Sequence, residues 1–140
     1  MPDVSALEKI LGHHFANKSL AEQAMTHSSF ANEHPGRMSN ERLAHLGDAI
    51  IEVVVRERLF HDQPQAGKGD LTDAKNALVN NKRLAEAATD WPKPDVSSGL
   101  SWLMGRQKIM AQTVEAVVGA VYEDTHSLAI TTAVIGRILK

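Results

Sequence analysis

The amino-acid pattern predicts an all-α fold. Apolar residues recur at three- and four-residue spacing through most of the chain, the period of an amphipathic helix. Gly and Pro fall in short polar segments between those stretches, where helices end. Aromatic residues make up only 4% of the chain and alternating β-branched runs are scarce, which argues against a sandwich or barrel. With 140 residues, the chain suits a single helical domain spanning 1–140, large enough to bury a core without staples.

The elements follow in order. Val4 to Leu11 is a short amphipathic segment stopped by Gly12, a residue suited to a helix C-terminus. Lys18 to Met25 is a second, ended by Thr26-His27-Ser28-Ser29. Ala31 to Ser39, with Pro35-Gly36, reads as a loop. Asn40 to His61 is the longest candidate: Asn40 suits the N-cap, and Glu41 the positive end of the helix dipole. Leu43, Gly47, Ile50 and Val54 fall near one stripe, broadened by Leu46, Ile51 and Val53. Gln63 to Gly69 is a second loop. Asp70 to Val79 and Asn81 to Thr89 are two short helices joined near Asn80-Asn81. Asp90 to Ser98, with Pro92 and Pro94, is a third break. Gln107 to Glu123 is a strong helix with Ile109, Val114, Val117, Val118 and Val121 spaced to face a core, and Ser127 to Leu139 closes the chain.

Composition excludes several functional classes. The chain has no cysteine, hence no disulfide framework, thiol nucleophile, Cys-ligated zinc or iron–sulfur cluster. Fifteen Lys and Arg against seventeen Asp and Glu give a net charge of −2, so any nucleic acid must be held by local patches. Glu52, Arg56 and Glu115 interrupt the most apolar stretches, so no membrane span is expected. The N-terminus lacks the layout of a secretory signal, and a cytoplasmic location is the default.

Two stretches carry candidate chemistry. In Asn40-Glu41-Arg42-Leu43-Ala44-His45-Leu46-Gly47-Asp48-Ala49, the side chains of Glu41, His45 and Asp48 share one helix face. Gly47 costs helix stability, about 1 kcal/mol relative to Ala, and so suggests close approach of another backbone. Asp48 is either a solvated or capping residue or a functional one. The second stretch runs from Ala111 to Tyr122, where Glu115 is the sole charge between Lys108 and Glu123. A carboxylate among apolar neighbours is costly unless paired, hydrogen-bonded or bound to a cation. A buried Glu–Arg pair is one resolution. Convergence with Asp48 on a divalent cation is the other, with Gly119 and Ala116 permitting tight helix contact. All-oxygen ligation favours Mg²⁺ or Mn²⁺. Zinc is set aside: His45 and Asp48 have a workable spacing, but no third ligand is apparent. Arg56, Arg58, Lys75, Lys82, Arg83, Arg106 and Lys108 are either phosphate contacts along a groove or a solvated mixed-charge surface.

Together these stretches resemble the ribonuclease III endonuclease domain, from about Leu7 to Ile138. Leu11-Gly12-His13-His14-Phe15 and Ser19 to Ser29 are similar to the family's opening. Asn40 to Ala49 resembles its signature segment, Leu71 to Ala85 its middle helices, and Glu115-Ala116 through Gly119-Ala120-Val121-Tyr122 its last acidic helix. The resemblance implies an all-α homodimer that cleaves double-stranded RNA with Mg²⁺, or Mn²⁺, by metal-assisted phosphodiester hydrolysis. It implies that Asp48 and Glu115 are catalytic metal-site carboxylates, that Glu41 is an accessory acid near the RNA path, and that Lys75 and Gln112 contact substrate. The family's usual acids four residues before Asp48 and three before Glu115 are here Ala44 and Gln112. Gln112 can offer only a neutral oxygen. Mini-III ribonucleases, a compact branch, also lack acids at both places, and Gly47 to Arg56 resembles that branch. The opening segments are closer to standard ribonuclease III.

The chain ends at Lys140, and the expectation is a stand-alone form without the downstream double-stranded RNA-binding domain. Substrate shape, a ribosome or a separate RNA-binding protein would then guide it to its target. Two alternatives stay open: a non-catalytic ribonuclease III fold serving as an RNA-binding or ribosome-associated structural subunit, and a module that heterodimerises with an active enzyme. For the homodimer, Leu43, Leu46 and Gly47 are expected to form the close-approach face.

Overall fold

The computed structural model describes residues 2–97 and 102–140. Eight helices occur among them: α1 (Val4–Leu11), α2 (Lys18–Ala24), α3 (Ser28–Glu33), α4 (Glu41–Asp62), α5 (Lys68–Leu78), α6 (Asn81–Ala87), α7 (Trp102–Thr125) and α8 (Leu128–Ile138). The only extended pairing among the described residues is an isolated bridge between Thr26 and Asp95, which ties the segment after α6 to the α2–α3 corner. Ser98, the last residue of the break expected over Asp90 to Ser98, lies outside the described residues.

Local chemistry explains most boundaries. Asp3 accepts a hydrogen bond from the Ala6 N–H at 3.0 Å, and Gly12 closes α1 in the left-handed conformation, φ 65°. Asn17, Asn80 and Ser127 cap α2, α6 and α8 through their side chains. Helix α3 departs from expectation, since the loop read from Ala31 begins only after Glu33. His27 caps it, its Nδ1 accepting from the Ser29 N–H at 3.2 Å. Histidine is outside the usual capping set, and α3 buries no residue, so it shows no apolar stripe. Helix α7 starts before Gln107, at Trp102.

Helix α7 is the centre of the molecule. Ala111, Val114, Ala116, Val117, Val118, Ala120 and Val121 are all buried, so its middle is covered on all sides but the one that carries Gln112 and Glu115. Its most extensive partner is α4, which contributes Leu43, Ile50, Ile51, Val54, Val55 and Leu59 to the core. Val53 does not join that stripe; it points outward, 51% exposed.

Two glycines set the α4–α7 crossing. A methyl carbon added at Gly47 would lie 1.7 Å from the carbonyl oxygen of Glu115, and one at Gly119 would lie 2.2 Å from that of Leu43. Each helix therefore lays its glycine on the other's backbone. Gly47 is consumed by this contact within the chain, so it does not form the subunit-facing surface expected of it. Of that trio only Leu46 stays half-buried.

Candidate active site

The crossing of α4 and α7 builds the site. Because Gly47 rests on the carbonyl of Glu115, the next residue, Asp48, projects beside the Glu115 side chain, and the two carboxyl groups hydrogen-bond. Glu115 is half-buried. Burial, then the hydrogen bond with Asp48, then the Asp48 charge push its pKa up to about 8. The pair therefore holds on to a proton well above the ordinary carboxylate range.

Glu41, Ala44, His45, Asp48, Gln112 and Glu115 line one open depression of about 220 Å³. The sequence-predicted face of Glu41, His45 and Asp48 thus exists, and α7 adds Glu115 and Gln112 to it. Among the described residues, no three His, Asp or Glu side chains gather closely enough to cage a metal ion. Glu41 is at the rim, apart from the carboxylate pair. Gln112 donates from Nε2 to Asn40 Oδ1 at 2.9 Å, and Asn40 donates from Nδ2 to the Ala24 carbonyl at 3.0 Å.

The donor set suits a hard divalent cation: two carboxyl groups and an amide side chain beside open solvent. Mg²⁺ is commonly held by one or two carboxylates while keeping several waters. Asp48 and Glu115 would hold it.

Lys75 is not in this depression. It lies on α5, and its Nζ donates to Glu52 Oε1 at 3.1 Å, while Arg56 Nε donates to Glu52 Oε2 at 3.1 Å. Glu52 is one helical turn beyond Asp48 on α4. Burial raises its pKa, but the hydrogen bonds and charges of Lys75 and Arg56 outweigh that and hold it below the ordinary value. Sequence reasoning missed Glu52 as the organiser of these two cations; its spacing to Asp48 and to Arg56 was the available signal. It also assigned Asn40 to helix capping, whereas the side chain makes no cap bond.

A second depression of about 550 Å³ adjoins the first, sharing Glu41 and His45, and is more apolar, with Leu20, Met38, Leu43 and Leu46 in its wall. A third, of about 530 Å³, lies near α6 and α8 around Arg83, Trp91 and Arg137, and holds none of the predicted metal-site residues.

Helices arranged this way, with a carboxyl pair set at their central crossing, define a ribonuclease III-type nuclease domain. The nuclease domain of Campylobacter jejuni ribonuclease III matches it with a TM-score of 0.86 and 30% identity, covering 98% of this chain and 96% of that one. A second structure of the C. jejuni domain gives 0.85 and 31%. The first of these is described as showing structural flexibility in a region involved in dimer formation. The chain belongs to the Ribonuclease-III-like family, whose model matches residues 17–140. Ribonuclease 3 of Shewanella piezotolerans is 38% identical over 128 residues, covering 88% of this chain and 55% of that protein. Ribonuclease 3 of Dehalococcoides mccartyi is 37% identical, covering all of this chain and 62% of that protein. The chain thus spans little more than half the length of the curated relatives it matches. The family and the all-α fold expected from the motifs are both confirmed.

Proposed function

We propose that this domain is a Mg²⁺- or Mn²⁺-dependent endoribonuclease that cleaves double-stranded or structured RNA and works as a homodimer. The observation that carries the reading is the Asp48–Glu115 pair. Glycine packing presses two carboxyl groups together at a cost that a cation would relieve, in a chain of the Ribonuclease-III-like family. Held by Asp48 and Glu115, a divalent cation would supply an activated water and charge neutralisation at the scissile phosphate. On holding the cation, the pair would release its proton to solvent and Glu115 would offer a charged oxygen. Asp48 provides the second negative oxygen, and Gln112 offers a neutral acceptor that orients water. Glu41, exposed at the rim, is the accessory acid beside the RNA path. Lys75 and Arg56, held by Glu52, place positive charge along the same face, suited to phosphates of an A-form duplex.

A symmetric dimer would bring two such grooves to one duplex, and the apolar depression around Leu46 and Met38 is the face suited to a second copy. A ribosome or a separate RNA-binding protein would deliver the target. No helix among the described residues is long and apolar enough to cross a membrane, and a cytoplasmic site of action fits an RNA substrate.

The test is incubation of pure protein with long double-stranded RNA in Mg²⁺, in Mn²⁺ and with a chelator. Cleavage should require the cation. Asp48→Asn, which removes a direct ligand, should cost more than the roughly 10–100-fold typical of outer partners of a metal site. Wild-type rates in Asp48→Asn would overturn the site assignment. The reduced acid set at Ala44 and Gln112 favours a second reading, a non-catalytic RNA-binding or ribosome-associated subunit. Protein that binds the RNA but never nicks it in Mn²⁺ would establish that one.

A further inference from the structure

Asn40 precedes α4 and is fully buried. An Asn in that place ordinarily accepts from a first-turn N–H, yet this side chain makes no such bond. Its backbone is also committed: the N–H donates to the Thr26 carbonyl at 2.9 Å, and the carbonyl accepts from the Ala44 N–H at 2.9 Å. Asn40 is thus anchored on both sides, and its carboxamide has only one chemically sensible orientation. The Ala24 carbonyl can only accept, so it must be met by Asn40 Nδ2, which leaves Asn40 Oδ1 facing α7. Gln112 must then meet that oxygen with its own NH₂. With Nε2 held on Asn40, the Gln112 amide keeps its oxygen, Oε1, unpartnered among the described residues in a side chain that lines the depression with Asp48 and Glu115, and one of its two N–H donors is already committed.

We infer that Asn40 is a positioning residue: by fixing Gln112 through the relay Ala24–Asn40–Gln112, it presents an acceptor oxygen to the carboxyl pair instead of an NH₂ donor. The difference is chemical. An NH₂ turned to the pair would hydrogen-bond the carboxylates and compete with a cation for them, whereas an oxygen can bind the cation or its water. This inference rests on the metal-dependent reading above, and its test separates the two.

The first measurement is the ¹⁵N–¹H spectrum of the Gln112 side-chain amide in metal-free protein. Wild type should show a resolved pair protected from solvent exchange, and Asn40→Ser, which removes the carboxamide that holds Gln112, should lose the protection. An amide that exchanges freely in wild type would overturn the relay, whether or not the variant folds and whether or not metal binds. The second is Mn²⁺ affinity, read from the signal of free Mn²⁺ without RNA. Asn40→Ser should weaken binding by about 10-fold, the lower end for an outer partner of a metal site. In a Gln112→Ala background the same substitution should change nothing, because Asn40 acts through Gln112. An equal loss in both backgrounds would reduce Asn40 to a structural residue. Mn²⁺ binding that is absent, or indifferent to Asp48→Asn, would sink the metal-dependent reading while the amide spectrum still decides the relay.

Discussion

Glu115 has no cationic partner among the described residues; its half-buried carboxyl bonds Asp48 instead. The buried Glu–Arg pair allowed by the sequence is therefore not how the charge is accommodated. Its pKa rises from an ordinary 4.5 to about 8, so between those values the folded state binds more protons than the unfolded chain. Unfolding free energy then falls as pH rises through that window. Glu115→Gln mimics the protonated form and removes the dependence. In chelator, urea denaturation should show the variant close to wild type at pH 5 and more stable than wild type at pH 8.5. A gap that does not change with pH would contradict this. Saturating Mg²⁺ should reverse the order at high pH, because only wild type then offers both carboxylates to the cation.

Helix α4 meets α7 backbone to backbone, and that contact admits no side chain. Gly47→Ala places a methyl against the Glu115 carbonyl, where backbone must move on both helices. Overpacking typically costs about 1–3 kcal/mol, and a clash with main chain belongs at the upper end, about 3 kcal/mol in urea melts. The variant should also lower the elevated pKa of Glu115, since Asp48 is carried away from it and only the part due to burial remains. A second joint holds the far end of α7. Asp124 accepts from the Ala16 and Asn17 N–H groups at 3.0 and 2.9 Å and lies 3.0 Å from His13 Nε2, tying α7 to the α1–α2 turn. Burial raises its pKa, but these three partners outweigh that and hold it below 3.8. Its contribution is therefore complete above the ordinary Asp range and lost as pH falls through the lowered value. Asp124→Asn should cost about 2 kcal/mol at pH 7, within the range for charged hydrogen bonds, and less at pH 3. Urea melts at the two pH values check it.

At the scale of the whole molecule, one face looks unfinished. Met38 is 60% exposed beside the apolar depression, and Leu46 is half-buried in its wall. On the homodimer reading this face meets its mate. Leu46→Glu should then give a monomer in sedimentation at micromolar concentration and reduce RNA cleavage at least about 10-fold, the cost of some 1.4 kcal/mol. Phe60→Glu, near the opposite end of α4 and 65% exposed, should leave both unchanged. An unaltered dimer in Leu46→Glu would move the interface elsewhere.

The sequence by itself determined the all-α class, most helix boundaries and the two glycines that had to touch backbone. It also determined the pair Asp48 and Glu115 as candidates. Those inferences depend on residues a few positions apart: apolar periodicity, a cap such as Asp3, a stop such as Gly12. Helix α3 escaped because its cap is a histidine and it buries nothing. Only the tertiary structure decided that Gly47 spends its bare surface inside the chain, that Lys75 turns to Glu52, and that Asn40 gives up capping to hold Gln112. These outcomes join residues far apart in the chain. They follow from the angle and separation at which α4 crosses α7, set by the whole core, and no local spacing encodes which atom of a distant side chain will be within reach.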